Sequence, residues 1–465
     1  MQILFHIQNA HLSFIFFIFA FFREFSYNKE TINDIYPCMK DQQTVTVIGL
    51  GYVGLPLAVL SAKKKYKVFG LERTQKKADK VNAGENFLAD EFLEKHFKAG
   101  QVKATIDPSI IKQSDIVLVC VPTPVDKLYQ PDLEPVRSAV RTIVSNLDPK
   151  RKTLVVIEST INPGVCEEVV EPLFKEAGFE VGKHYELSHC PERINPGDPK
   201  WNVSNIPRVA GSFTKKGRDR TVAFYESILD APVRPMNSIR EAEATKIMEN
   251  SFRDINIAFV NELAKSFTKL GIDVVDVIHG ASTKPFAFMP HWPSCGVGGH
   301  CIPVDPYYLI ERAKQSGFDH KFLKLAREIN NSMPEYTVEI LQNLLNEKKL
   351  PLNGTPVAVL GMAYKADVGD KRESPSFKIV DILKKHKAKV LTFDPYLPEN
   401  STETSLESTL EKAKAVIIAT NHSAFTKLDA KNFEKHKIAV VVDGKNCLKK
   451  ENFEKSAVLY KGIGR

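Results

Sequence analysis

The chain has 465 residues, too many for one compact core, so two or three domains are expected. Apolar residues make up 43% and charged residues 26%, which excludes a mostly disordered chain. The formal charge of +8 is spread along the chain, which argues against nucleic-acid binding and leaves anionic small molecules as ligands.

Seven cysteines, at 38, 120, 166, 190, 295, 301 and 447, are scattered and form no CxxC pair. That argues against a disulfide framework or zinc ribbon and points to a reducing, cytoplasmic setting.

Taken from the start, the first stretch differs from the rest. Eight of the 28 phenylalanines fall before position 26, and Leu12 to Phe22 is apolar apart from Ser13. A spanning helix needs about 20 such residues, and neither a basic n-region nor a small-residue cleavage site is present. Met39 stands just before the first clear strand, so residues 1–38 are read as an extension from a start placed too far upstream. A weak membrane-surface anchor and an atypical signal are the other readings, and membrane contact follows only if residues 1–25 are genuine.

From Thr44 the pattern is strand, glycine turn, helix. Val45 to Ile48 runs into GxGxxG at Gly49, Gly51 and Gly54, and a second strand from Lys67 ends at Glu72, 18 residues after Gly54. The first glycine permits the tight turn, the second lets the backbone approach a pyrophosphate, and the third lets helix and strand pack closely. Phosphates would meet the free N–H groups of the helix N-terminus. Glu72 suits the ribose hydroxyls of NAD, a preference that Arg73 and Lys77 complicate. A lone glycine turn is a weak signal; with strand, helix and acid in place it predicts a dinucleotide site.

Buried-type runs at Ile116–Val121 and Thr153–Ile157 continue the pattern and imply a parallel sheet covered on both faces. Polar residues punctuate their ends, so Thr123, Ser159 and Thr160 are candidate ligand contacts. Each is equally a helix cap when taken alone. From Glu241 to Leu270 there is neither proline nor glycine, and apolar residues recur at helical spacing, which predicts a long helix. After a Gly-, Pro- and aromatic-rich segment and more helix to Lys349, Leu350–Pro356 reads as a linker. A second α/β pattern follows, with strands at Val357–Leu360, Lys389–Phe393, Ala415–Ala419 and Ile438–Val442.

The chemistry concentrates in Gly296-Val-Gly-Gly-His-Cys-Ile-Pro-Val-Asp, which sets Cys301 in a glycine turn with Asp305 four residues on. Local N–H groups there are expected to lower the thiol pKa. The long helix offers Lys246, Asn250 and Arg253 on one face. A thiolate, an ammonium and an amide beside a nicotinamide suggest covalent chemistry at a carbonyl. In isolation, the thiol reads as a buried inert cysteine and the helix as a solvated charged face. Zinc at Cys295, His300 and Cys301 lacks a fourth ligand at normal spacing, so no metal is expected.

The ordered motifs GLGYVGLP, VPTP, EST, PERINPG, KIMENSFRDINIAFVNELA, GVGGHCIPVDPYYL and GMAYKADVGDKRESPS resemble the UDP-glucose/GDP-mannose dehydrogenase family from about residue 44 to the C-terminus. The resemblance implies a Rossmann-type NAD domain (39–235), a central helical dimerisation domain (236–349) and a C-terminal α/β domain holding a nucleotide sugar (350–465). It implies four-electron oxidation of a sugar C6 alcohol with two NAD+, through a thiohemiacetal and a thioester on Cys301. Lys246 and Asn250 would stabilise an oxyanion, Asp305 and Thr160 would handle protons through a water, and Glu192 is a further acid/base candidate. Tyr52, Val53, Thr123, Thr160 and Arg372 would join the glycines, Glu72 and Lys77 around the cofactor. Arg193, Ile194, Arg253, Gly298, Tyr364 and Lys365 would join Glu192, Lys246 and Asn250 around the substrate.

Within the family, Pro191-Glu-Arg-Ile-Asn-Pro-Gly resembles the UDP-N-acetylhexosamine branch. Pro285 and Ala287 stand where N-acetylmannosamine enzymes often carry His-x-Arg, which favours UDP-N-acetylglucosamine. The resemblance places the product in surface polysaccharide synthesis. Ser294-Cys295 replaces a usual Gly-Pro, and Gly369 and Lys371 stand in a normally acidic loop. The rival readings are a UDP-N-acetylmannosamine or UDP-glucose enzyme, a non-catalytic nucleotide-sugar binder and a two-electron hydroxyacid-type dehydrogenase. The last has no need of Cys301 or of the C-terminal domain.

Overall fold

A computed structural model describes residues 42–88, 90–126, 131–194 and 200–465. The N-terminal extension and Asn195 to Gly197 of the PERINPG motif lie outside the described residues.

Two sheets frame the molecule. The first has eight strands in the order β3-β2-β1-β4-β5-β6-β7-β8. They are β1 (Thr44–Ile48), β2 (Lys67–Leu71), β3 (Lys103–Thr105), β4 (Ile116–Val119), β5 (Thr153–Ile157), β6 (Tyr185–His189), β7 (Arg208–Ser212) and β8 (Val233–Pro235). Pairing is parallel except between β6 and β7. Alternation along each strand divides the side chains between two cores. Val45, Val47, Leu118 and Val156 enter one, while Ile48, Val117, Val119 and Val155 enter the other. Helix α1 (Gly54–Lys63) packs on the first face and α2 (Glu134–Asn146) on the second.

The second sheet is wholly parallel, with β10 (Lys389–Phe393), β9 (Pro356–Leu360), β11 (Ala415–Ile418), β12 (Val440–Asp443) and β13 (Leu459–Gly462) side by side. Counted within itself the order is 2-1-3-4-5, the other common doubly wound arrangement.

Between the sheets runs α3 (Ile239–Leu270), opened by a Ser238/Glu241 capping box and closed by Gly271 in the left-handed region. It is followed by α4 (Val274–Ser282), α5 (Asp305–Gln315), α6 (Lys321–Asn331) and α7 (Met333–Glu347). Val260, Ala264, Val274 and Leu341 of this group share one core with Val357, Val359 and Ile417 of the second sheet. The helical middle is thereby fixed to the C-terminal unit. Among the described residues no helix is long and apolar enough to cross a membrane.

Candidate active site

The three glycines of the first turn have different reasons to be glycine. Gly49 has φ +89°, and a Cβ there would lie 2.7 Å from the Cys120 carbonyl oxygen. A Cβ on Gly54 would lie 2.0 Å from the Gly49 oxygen, so this position allows the close helix–strand approach. At Gly51 a Cβ would meet no atom of the described residues within 4 Å. The fold therefore leaves Gly51 unconstrained, and the space beside it suits a bound pyrophosphate. Helix α1 has no side-chain cap at its N-terminus.

Glu72 Oε1 accepts the Leu50 N–H at 2.6 Å and lies 2.7 Å from Lys77 Nζ. The acid thus braces the turn while standing at its open side, and Lys77 neutralises it. Tyr52 is exposed and Val53 is half-buried against the core, with the Arg372 guanidinium 6.0 Å from the Tyr52 ring. Thr123 is buried, and its carbonyl accepts from the Tyr308 hydroxyl at 2.5 Å, joining the end of β4 to α5. Thr160 is half-buried in the loop after β5. Buried Glu243 of α3 accepts the N–H groups of Gly164 (2.6 Å) and Cys166 (2.9 Å) farther along that loop.

The face of α3 carrying Lys246 and Asn250 is buried, which corrects the solvated-face reading; Arg253 alone of the three is exposed. Glu243, Lys246, Asn250, Asp254 and Asn261 are buried in a polar ladder, and Glu243, Asn250, Asp254 and Asn261 take partners from remote segments. Asn250 Nδ2 donates to Asp305 Oδ2 at 2.5 Å, and Asp254 pairs with Arg327 and accepts from Asn330.

Cys301 is exposed, unlike Cys120, Cys166, Cys190, Cys295 and Cys447. Its carbonyl accepts the N–H groups of Val304 (3.1 Å) and Asp305 (2.8 Å), so it stands on the turn that opens α5. The surrounding protein pushes the thiol pKa up and the Asp305 carboxylate adds to this, while Lys246, Arg372 and Arg253 pull it down. The expectation of a lowered thiol pKa is corrected: without a ligand, desolvation and Asp305 outweigh the three cations. Burial also pushes Asp305 up to about 6, against the opposing pull of Lys246 and Asn250.

The glycine turn is shaped by the C-terminal unit. A Cβ on Gly298 would lie 2.6 Å from Tyr364 Cβ, and one on Gly299 (φ +93°) would lie 2.8 Å from the Tyr364 ring. Gly299 N–H donates to the Arg372 carbonyl at 2.9 Å. Tyr364 and half-buried Lys365 therefore ride on a loop that packs directly against the cysteine turn.

The two sequence departures have local roles. Cys295 donates its N–H to the Gly444 carbonyl at 2.8 Å, a bond that proline would forfeit. A Cβ on Gly369 would lie 2.8 Å from the Tyr396 carbonyl oxygen, and Lys371 reaches Asn400 at 3.1 Å.

Glu192 is buried and fully engaged. Its Oε1 accepts the N–H groups of Arg193 (2.6 Å) and Ile194 (2.8 Å), and its Oε2 pairs with Arg208. Arg193 donates through Nε to Glu249 on α3 at 3.1 Å, and Ile194 packs on the first core. Sequence reasoning missed Arg208, Glu158 as a buried acid, and Glu243. Glu158 lies in the EST motif, whereas Arg208 and Glu243 carry no spacing signal.

The nucleotide cradle precedes the long helix and the exposed Cys301 follows it, an arrangement that suits a dinucleotide-dependent oxidation. Family models match three consecutive stretches: the UDP-glucose/GDP-mannose dehydrogenase NAD binding domain at 43–229, its central domain at 240–332 and its UDP binding domain at 358–450. The chain belongs to this family and is an NAD-dependent nucleotide-sugar dehydrogenase. It is 34% identical over 428 residues to a UDP-N-acetyl-D-mannosamine dehydrogenase of Pyrococcus horikoshii, covering 90% of this chain and 99% of that one. It is 34% identical over 404 residues to a UDP-N-acetyl-D-glucosamine 6-dehydrogenase of Pseudomonas aeruginosa, covering 85% and 94%. A solved structure of a UDP-D-ManNAc dehydrogenase from Pyrococcus horikoshii superposes with a TM-score of 0.83 at 33% identity, covering 91% of this chain and 99% of that chain.

Proposed function

We propose that the enzyme oxidises the C6 alcohol of a UDP-N-acetylhexosamine, UDP-N-acetylglucosamine foremost, to the uronate through covalent intermediates on Cys301. The observation that carries this reading is the pairing of an accessible thiol with buried Lys246, Asn250 and Asp305 on the two elements beside it. Bound NAD+ accepts a hydride at each of the two oxidations. Asp305, with a pKa near 6, is suited to hold a proton from the alcohol or the thiol through a water, with Thr160 as its companion. Cys301 adds to the C6 aldehyde, and the resulting oxyanion finds the Lys246 ammonium and the Asn250 amide already desolvated. After the second oxidation water cleaves the thioester and frees the thiol. Lys365, Tyr364 and Arg253 are assigned to the nucleotide sugar, Arg372 and Tyr52 to the cofactor side.

Relatives of both N-acetylhexosamine types are 34% identical to the chain, so identity does not choose the sugar and the gluco preference rests on Pro285, Ala287 and the stretches 283–290 and 328–336. A homodimer is part of the proposal. Met248, Phe252 and Phe259 on α3, with Phe286, Met289 and Trp292 after α4, leave large apolar groups exposed in the central region. A cytoplasmic setting follows from the thiol chemistry.

The test is to supply NAD+ with UDP-N-acetylglucosamine, UDP-N-acetylmannosamine or UDP-glucose and count NADH per sugar. Two per UDP-N-acetylglucosamine, with the highest kcat/KM of the three, is the expected result. A manno preference would overturn the sugar assignment and keep the mechanism; one NADH per sugar would overturn the thioester.

A further inference from the structure

A buried charge cluster lies beneath the substrate-side strap and is built on Arg208, Glu158 and Glu192. Arg208, on β7, has no exposed side-chain surface. Its Nη1 donates to both oxygens of Glu158, at 3.2 and 2.9 Å, and its Nη2 donates to Glu192 Oε2. The Tyr225 hydroxyl donates to Glu158 Oε1, and the Tyr225 ring lies 5.3 Å from the guanidinium. Two carboxylates thus share one guanidinium with water excluded. Desolvation pushes the Glu158 pKa up against the pull of Arg208, and the Glu192 carboxylate adds to the rise.

Burying three ionisable groups costs several kcal/mol each before pairing, and an apolar core of similar volume is often as stable. Stability alone is therefore a weak reason for the cluster. Its position supplies a better one. Glu158 follows the last residue of β5, two positions before Thr160, and Glu192 lies three positions beyond β6. Arg208 ties together the carboxyl ends of two neighbouring parallel strands, the edge at which doubly wound sheets bind ligands. The free end of Glu192 then fixes the backbone N–H groups of Arg193 and Ile194. Arg193 carries the linkage to Glu249, the neighbour of Asn250 on α3. The chain Arg208, Glu192, 193–194 strap and α3 is continuous.

We propose that Arg208 is a positioning residue of the nucleotide-sugar pocket, acting through Glu192 to fix the strap at residues 192–194 against the helix that carries Lys246 and Asn250. The assignment of that pocket rests on the proposed function; the fixing of the strap does not.

The test uses the full chain with Arg208→Lys, which keeps the charge but loses the fork that serves two carboxylates. Backbone hydrogen exchange is read for peptides covering 190–194 and, as a control, 44–54, together with KM for UDP-N-acetylglucosamine and for NAD+. The expected result is exchange about ten-fold faster at 190–194 with no change at 44–54, and a sugar KM about ten-fold higher with the NAD+ KM within about two-fold. Glu158→Gln leaves the Arg208–Glu192 pair intact and is expected to keep both readouts near wild type. Should Arg208→Lys fail to fold, Glu192→Gln cuts the same linkage at the strap and is expected to give the same faster exchange at 190–194 with no change at 44–54.

Unchanged exchange at 190–194 in the folded variants overturns the proposal, as does an equal rise of both KM values, which would mark general loosening. If the wild-type enzyme forms no NADH from any nucleotide sugar, the substrate reading falls, and the exchange data still decide the role of Arg208.

Discussion

Gly51→Ala separates what the fold requires from what the cofactor requires. Among the described residues the added methyl meets no atom within 4 Å, and Gly51 is not among the glycines with positive φ. Replacing glycine at such a site stabilises by about 0.4–1 kcal/mol through the unfolded chain, so the melting temperature should stay level or rise slightly. The space the methyl fills is the space assigned to the pyrophosphate. Overpacking a close contact costs about 1–3 kcal/mol, which corresponds to an NAD+ KM raised roughly 5- to 150-fold. Gly54→Ala is the opposite case, because its methyl would sit 2.0 Å from the Gly49 oxygen and must displace backbone. It should lower the melting temperature whether or not cofactor is present. The assay is thermal unfolding without ligand, beside a titration of NADH fluorescence. If Gly51→Ala melts well below wild type, or binds NADH as tightly, the assignment of this space to the dinucleotide is wrong.

Three further outcomes follow from the buried ionisable groups and the thiol. Glu158 titrates near 7 in the fold and near 4.5 when unfolded, so between those values only the native state holds its proton. Its stabilising share is full below pH 4.5 and is lost as pH rises through 7, on the order of 1–3 kcal/mol. Glu158→Gln should therefore melt at a temperature that falls less than wild type between pH 5 and pH 8; parallel profiles would contradict the buried-proton account. With Asp305 near 6, kcat should climb through pH 6, and Asp305→Asn should flatten that limb while slowing turnover by about 10²–10⁴-fold. An unaltered limb in the variant would assign it to another group. Cys301→Ser should stop before the second oxidation, so a variant releasing two NADH per sugar at the wild-type rate would remove the thioester.

Much of this architecture is legible in the residues because most positions of its central strands are apolar. Val45–Ile48, Ile116–Val119 and Ala415–Ile418 are buried on both faces and read as continuous runs. Strand β6 is equally buried, yet it contains Glu186, Ser188 and His189, so no apolar run marks it. Glu186 and Ser188 find partners remote in sequence, Thr214 and Thr221, whose hydroxyls donate to them. The helix face of Lys246 and Asn250 has the same difficulty. Charged and amide side chains at helical spacing describe a solvated face until Asp305, 55 residues beyond Asn250, closes over them. Spacing also could not give the direction of the thiol shift, which depends on how much protein surrounds Cys301 and on which side Asp305 stands.

The two sheets solve one backbone problem in one way and then diverge. Gly49 and Gly361 follow the first strand of their sheets with φ +89° and +94°, and their N–H groups donate to Leu71 and Phe393 at 3.1 and 2.9 Å. The next N–H, of Leu50 or Met362, donates to an acid at the end of the neighbouring strand, Glu72 or Asp394, at 2.6 Å in both. A Cβ on either glycine would strike a residue just beyond the neighbouring strand on the other side, Cys120 after β4 or Thr420 after β11. What differs is the use of the acid. Burial pushes Asp394 up, but His422, Ala363 and Tyr396 donate to it and bring its pKa to about 2, leaving it committed to the protein. Among the described residues Glu72 is shared by Leu50 and Lys77, and it stands beside the open space at Gly51. The helix begins five residues after Gly49 but fourteen after Gly361. The longer connection carries Tyr364, Lys365 and Arg372 to the cysteine turn. An acid left partly free makes a nucleotide cradle; the same acid spent on its own loop makes an anchor from which that loop reaches the other unit's chemistry.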